Sequence, residues 1–142
     1  ENDVRIKHLG RLDRLSSDLR EELERAVEMT ADNSGLTLGI AFDYGGRAEL
    51  AHVARRLVED GVSADEIDES KFSKYLYTSD MPDVDFLIRT GGDFRISNFL
   101  LWQTAYSEFY SSEIWWPDFH GAYIDQAFDA FNDRKRRFGK RI

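Results

Sequence analysis

The stretch VDFLIRTGGDFRISNFLLWQTAYSEFYSSEIWWPD, from Val84 to Asp118, carries more structural instruction than any other part of the chain. It alternates at first and then turns apolar through Phe86, Leu87 and Ile88, which predicts a short buried strand ending at Arg89. Gly91 and Gly92 follow at once, a pair suited to positive φ and to close approach of the backbone. Ser97 and Asn98 are good N-cap residues, and the run from Phe99 to Tyr106 is apolar almost all round, so a buried helix is expected to begin near Ser97. The predicted order is strand, glycine turn, helix N-terminus.

Unpaired N–H groups at a helix start, aided by the helix dipole, form an anion site. Arg89 at the strand's carboxyl end and Arg95 just before the expected helix carry guanidinium forks suited to phosphate oxygens, and Ser97 adds a hydroxyl. The pattern therefore reads as a phosphate or diphosphate cradle. A plainer reading is a helix cap with two arginines paired to Asp83, Asp85 or Asp93.

Outward from this centre, the chain repeats strands and helices. Val4 to Leu9 is strand-like and ends at Gly10, and Asp18 to Met29 places Leu19, Leu23, Ala26 and Val27 at helical spacing behind an acidic first turn. Leu36 to Phe42 is a near-continuous apolar strand of the kind that lies in a sheet covered on both faces. Asp43-Tyr44-Gly45-Gly46-Arg47 then repeats the strand, two glycines and arginine, and a helix from Ala48 to Asp60 follows. In a parallel sheet both glycine turns fall on the same edge, where they either line one crevice or only make tight turns. Ser63-Ala-Asp-Glu66 is a capping box, Met81-Pro82-Asp83 a link, Phe109 to Trp116 an alternating strand, and Ile124, Ala127, Phe128 and Phe131 mark a last amphipathic helix. It runs into the basic end Arg134-Lys-Arg-Arg137, which suits a helix C-terminus.

With 142 residues and 42% apolar content, the chain supports one α/β core. A net charge of -8 argues against nucleic acid, which needs an extended basic face. There is no cysteine, hence no disulfide, thiolate nucleophile or cysteine metal site. No apolar run approaches a membrane span, and a cytoplasmic location is expected. The chain opens on Glu1-Asn2-Asp3 and passes straight into a strand, which reads as a fragment or processed piece. Nucleotide, hydrolase and zinc-protease motifs are missing, and His8, His52 and His120 are scattered.

Arg89-Thr-Gly-Gly-Asp93-x-Arg95-Ile-Ser97-Asn98-Phe99-Leu-Leu-Trp102-Gln103, with Ala-Tyr-Ser-Glu108-Phe-Tyr and Trp116-Pro117-Asp118-Phe119, closely resembles the signature of the cis-prenyltransferases, the undecaprenyl diphosphate synthase family. The resemblance extends over residues 1–142 but covers only about the C-terminal half of the family's single isoprenyl transferase domain. It implies a mostly parallel central sheet flanked by helices, incomplete without the N-terminal half. It also implies condensation of isopentenyl diphosphate with an allylic prenyl diphosphate, with Mg2+ as cofactor. By motif position, Arg89, Arg95 and Ser97 would bind the isopentenyl diphosphate and Glu108 the metal. Arg137 and Gly139, in Arg137-Phe138-Gly139, would reach across a homodimer interface to the partner's diphosphate.

Departures from the pattern bear on the chemistry. Asp93 stands where glutamate is common, Asp43 where asparagine is common, and the segment with the family's catalytic aspartate has no counterpart, so the catalytic residue is unknown and the isolated piece is expected to be inactive. Glu108 raises a geometric question, since a continuous helix would place it about 16 Å beyond Ser97. It serves the same phosphate only if the helix ends early and the chain returns, and otherwise acts in a neighbouring subunit or at an interface. A lipid product makes peripheral membrane contact an expectation. The competing assignments are a non-catalytic partner subunit of a heteromeric prenyltransferase and a generic phosphate-ligand binding α/β module.

Overall fold

A computed structural model describes residues 3–134. They divide into two compact units, Glu1–Pro82 and Asp83–Ile142, with the boundary inside the Met81-Pro82-Asp83 link.

In the first unit, β1 (Arg5–Leu9), helix α1 (Ser17–Met29) and β2 (Thr37–Ala41) form one parallel βαβ crossover, with Arg5 paired to Thr37 and Leu9 to Ala41. The end of α1 is sewn to the edge of β1. Thr30 Oγ1 accepts a hydrogen bond from the Ile6 N–H at 2.9 Å and donates one to the Ala26 carbonyl at 2.9 Å, while Asn33 Nδ2 donates to the Val4 carbonyl at 2.8 Å. Helix α2 (Gly46–Glu59) follows, then a 3-10 turn at Ala64–Glu66 and the short α3 (Glu69–Ser73). Val53 and Leu57, one turn apart on α2, are buried with Leu9 and Leu76 as the core of this unit. The capping box is formed, with the Ser63 hydroxyl 2.8 Å from Glu66 Oε2.

One expectation is altered here. β2 is not covered on both faces, because Leu36, Leu38, Ile40 and Phe42 are 36–66% exposed, while the Gly39 side faces Leu9 and Met81. The strand's own pattern commits it to burial, and no element of this unit lies over that side.

In the second unit, β3 (Phe86–Thr90) pairs in parallel with β4 (Glu108–Ser112), Phe86 opposite Glu108 and Arg89 opposite Ser111. Helix α4 (Gly121–Asn132) follows a 3-10 turn at Trp116–Asp118. Ala127 is fully buried, and the Phe86 ring meets Phe131 at 4.8 Å and Phe128 at 6.1 Å. The architecture is α/β with parallel pairing throughout, expressed among the described residues as two two-stranded sheets.

The connection from β3 to β4 corrects the expected helix at Ser97. Ser97, Asn98 and Leu100 have φ of 52°, 65° and 46°, the left-handed region, and residues 91–107 run as successive turns. Most of their internal hydrogen bonds span three residues, as in Phe99 N to Ile96 O and Ala105 N to Trp102 O; only Thr104 N to Leu100 O, at 2.9 Å, has α-helical reach. Each left-handed residue interrupts a right-handed ladder. The apolar pattern nevertheless does its packing, since Leu100, Gln103 and Thr104 are buried.

The Thr30 link yields a stability test. Thr30→Val keeps the shape but strands the Ile6 N–H, so it should lower the unfolding free energy by about 1–3 kcal/mol in urea titration. Thr30→Ser, which keeps the hydroxyl, should lose less.

Candidate functional site

β3 delivers Arg89 to its carboxyl end, and the glycine pair turns the chain back over it. Gly91 and Gly92 have φ of 86° and 81°, as their pairing predicts. Their N–H groups donate to the carbonyls of Ile114 and Ser112, both at 2.9 Å, so they serve the backbone of the neighbouring strand and are not presented to an anion. A Cβ on Gly92 would stand 2.7 Å from Glu113 Oε2, and one on Gly91 would stand 3.4 Å from the Trp115 ring. The Glu113 carboxyl can swing aside and the Trp115 contact is ordinary, so it is the positive φ at both positions that calls for glycine.

The reversal places Asp93 between the two arginines. Asp93 Oδ2 accepts from Arg89 Nη2 at 2.9 Å and from Arg95 Nη2 at 2.7 Å. Arg89 Nη1 also reaches the Arg95 carbonyl at 3.4 Å, and the Ser111 hydroxyl donates to the Asp93 carbonyl at 2.9 Å. Both cationic heads thus converge on one oxygen atom. The plainer sequence reading, arginines paired with Asp93, describes this arrangement, and two guanidinium groups converging on one point is also the geometry an anion would need. Arg95 is 66% exposed and Arg89 29%, so the pair opens to solvent on the Arg95 side. Ser97 is exposed in the left-handed turn two residues on and starts no helix, so the arginine cluster is built from side chains and not from a helix terminus.

Glu108 lies elsewhere. It opens β4 opposite Phe86, three residues of strand from the Arg89 level, or about 10 Å at strand rise. Its Oε2 lies 3.0 Å from Arg134 Nη1, which also donates to the Phe109 carbonyl at 2.8 Å. The chain does return after an early end to the turns, but at the opposite end of the strand pair. Among the described residues there is no cluster of three His, Asp or Glu that would hold a metal ion. A single carboxylate fits Mg2+ as one ligand of a site completed by phosphates or other residues, not as a site. Arg137 and Gly139 lie outside the described residues.

The glycine pair of the first unit behaves differently. Gly45 is extended and caps α2, which starts at Gly46, two residues earlier than the sequence suggested; the left-handed residue is Asp43, with φ of 48°. Behind this turn Glu49 is 1% exposed and accepts from the Tyr44 hydroxyl at 2.5 Å and the Tyr77 N–H at 2.9 Å. Burial, then the Glu49 charge, pushes the Tyr77 hydroxyl pKa up. Nearby, at the carboxyl end of β1, a polar cavity of about 340 Å³ is lined by Arg11, Asp13, His52, Arg55 and Tyr77. Arg11 grips Asp13 through two hydrogen bonds of 2.9 and 2.5 Å, which hold the Asp13 carboxyl below its ordinary range. Glu49 was missed in the sequence; its one signal was an acidic residue a turn before Val53 on the apolar stripe.

The second unit is thus an α/β arrangement with two arginines gathered behind a strand and glycine turn. The chain belongs to the Prenyltransf family, described as putative undecaprenyl diphosphate synthase, whose sequence model matches residues 1–139. It is 49% identical over 140 residues to an isoprenyl transferase of Neisseria meningitidis serogroup A, covering 99% of this chain and 56% of that protein. It is 50% identical over 141 residues to an isoprenyl transferase of Rickettsia bellii, covering 99% of this chain and 62% of the relative. The crystal structure of lavandulyl diphosphate synthase from Lavandula x intermedia, in complex with dimethylallyl diphosphate, superposes with a TM-score of 0.92 at 33% identity, over 99% of this chain and 62% of that one. The chain therefore spans little more than half the length of the curated relatives it matches.

The turn geometry can be tested directly. Gly92→Ala must place an L-residue in the left-handed region, and is expected to cost about 1–2 kcal/mol of stability. An unaltered urea midpoint would mean the loop relaxes to negative φ at no cost.

Proposed function

We propose that the chain is the isopentenyl diphosphate-binding portion of a cis-isoprenyl diphosphate synthase, which joins isopentenyl diphosphate to an allylic prenyl diphosphate. The observation that carries the reading is the convergence of Arg89 and Arg95 on one anionic oxygen, an arrangement matched to diphosphate oxygens through charge-assisted hydrogen bonds. Family membership supports the reaction class. In it Arg89 and Arg95 hold and orient the diphosphate of the nucleophilic substrate, with Ser97 at the rim of the site. Substrate positioning and charge neutralisation are the contributions these residues make.

Mg2+ is the cofactor of this reading. It would neutralise charge on the departing diphosphate, and Glu108 would offer one oxygen to it after exchanging Arg134. Arg137 and Gly139 are assigned to the partner's diphosphate in a homodimer. The open apolar side of β2 and the exposed Trp115 and Trp116 suit either a prenyl chain or further protein. No helix among the described residues is long and apolar enough to cross a membrane, and the enzyme is proposed to work in the cytoplasm with peripheral contact to the membrane that receives its product.

Two measurements test this. Arg95→Ala should weaken isopentenyl diphosphate binding by about 1.5–3 kcal/mol, the range for a hydrogen bond to a charged group, and calorimetry showing an unchanged Kd would remove the site. Residues 1–142 alone should show no prenyl transfer, because the proposed principal catalytic aspartate is not among them. Turnover by the purified piece would overturn that part.

A further inference from the structure

We propose that Asp93 is a positioning residue that assembles the two-arginine clamp, held in place by Ser111, and does not compete with substrate for it. The inference rests on the anion-site reading above and concerns how that site is organised before ligand arrives.

Asp93 is placed by contacts that do not involve the arginines. The Ser111 hydroxyl holds its carbonyl at 2.9 Å, and the N–H groups of Gly91 and Gly92 tie the preceding turn to Ile114 and Ser112. Ser111 sits in β4 directly opposite Arg89 in β3, so the same register that sets the height of Arg89 sets the height of Asp93. The arginines then come to the carboxylate. Two guanidinium groups brought together without an anion repel each other and keep their side-chain entropy. One Asp93 oxygen removes that repulsion at the cost of a single terminal nitrogen from each arginine, Nη2 in both cases. A guanidinium has five N–H donors, so donors are left on each for phosphate oxygens. Arg95 gains most, because its side chain is 66% exposed and Asp93 is a fixed point for its head. A competitor would instead have to leave before diphosphate entered.

The test is calorimetric titration of the 142-residue chain with isopentenyl diphosphate and with inorganic diphosphate. Asp93→Asn should raise the Kd for both about tenfold or more. Asp93→Glu, which keeps the charge and adds one methylene of reach, should restore the Kd to within about threefold, a rescue that a merely structural role would not predict at unchanged Tm. Ser111→Ala should shift the Kd in the same direction by less, and serves as the second arm if Asp93→Asn does not fold. Binding by Asp93→Asn as tight as the parent's overturns the proposal, and tighter binding identifies Asp93 as a competitor; in the second arm an unchanged Kd for Ser111→Ala overturns the anchoring of Asp93 on which the proposal rests. Arg95→Ala separates the two levels. If it weakens binding while Asp93→Asn does not, only the positioning role falls; if neither weakens it, the anion site falls as well.

Discussion

Two positive side chains meet on Asp93 Oδ2, and much of the second unit is arranged so that they can. Like charges at that separation are unfavourable without an anion between them, and the loop supplies one from within. Its position requires two consecutive residues with positive φ, which Gly91 and Gly92 provide, and a backbone anchor, which Ser111 provides from the adjacent strand. Parallel pairing of β3 and β4 puts that anchor level with Arg89. The site therefore follows from strand register, turn torsion and charge together, and no helix terminus takes part.

The two strand-glycine-arginine segments share a sequence pattern and differ in physics. In the second unit both glycines take left-handed torsions and give their N–H groups to the neighbouring strand. In the first unit the left-handed torsion moves to Asp43, Gly45 extends, and Gly46 already belongs to α2. What anchors that turn is a buried carboxylate, Glu49, satisfied by the Tyr44 hydroxyl and the Tyr77 N–H. A buried polar group is tolerated only when hydrogen bonded in this way, so Glu49 ties two loops to the helix as well as filling space.

The first unit also carries an exposed apolar stripe. Leu36, Leu38, Ile40 and Phe42 repeat every second residue on one side of β2 and stand open. Such a stripe on a sheet strand is designed for a covering layer or an apolar ligand.

Much of this was readable before any coordinates. The apolar runs of β1, β2 and β3, the spacing of α1, α2 and α4, and the capping box at Ser63 are local patterns, and local patterns are what short-range sterics and burial enforce. The long motif from Arg89 to Gln103 placed the chain in its family because it joins residues of unlike chemistry at fixed spacing. The Ser97 helix was the failure, and an instructive one. Ser97, Asn98 and an apolar run are as good a helix signal as short sequence offers, yet the sign of φ at Ser97, Asn98 and Leu100 is chosen by the need to bury Leu100, Gln103 and Thr104 while returning the chain to start β4 at Glu108. Which residues carry charge, and which must be buried, was written in the order of amino acids. That Arg89 and Arg95 share one carboxylate oxygen, and that Glu108 sits at the far end of the strand pair against Arg134, was decided by register and chain reversal, because those depend on residues distant in sequence meeting in space.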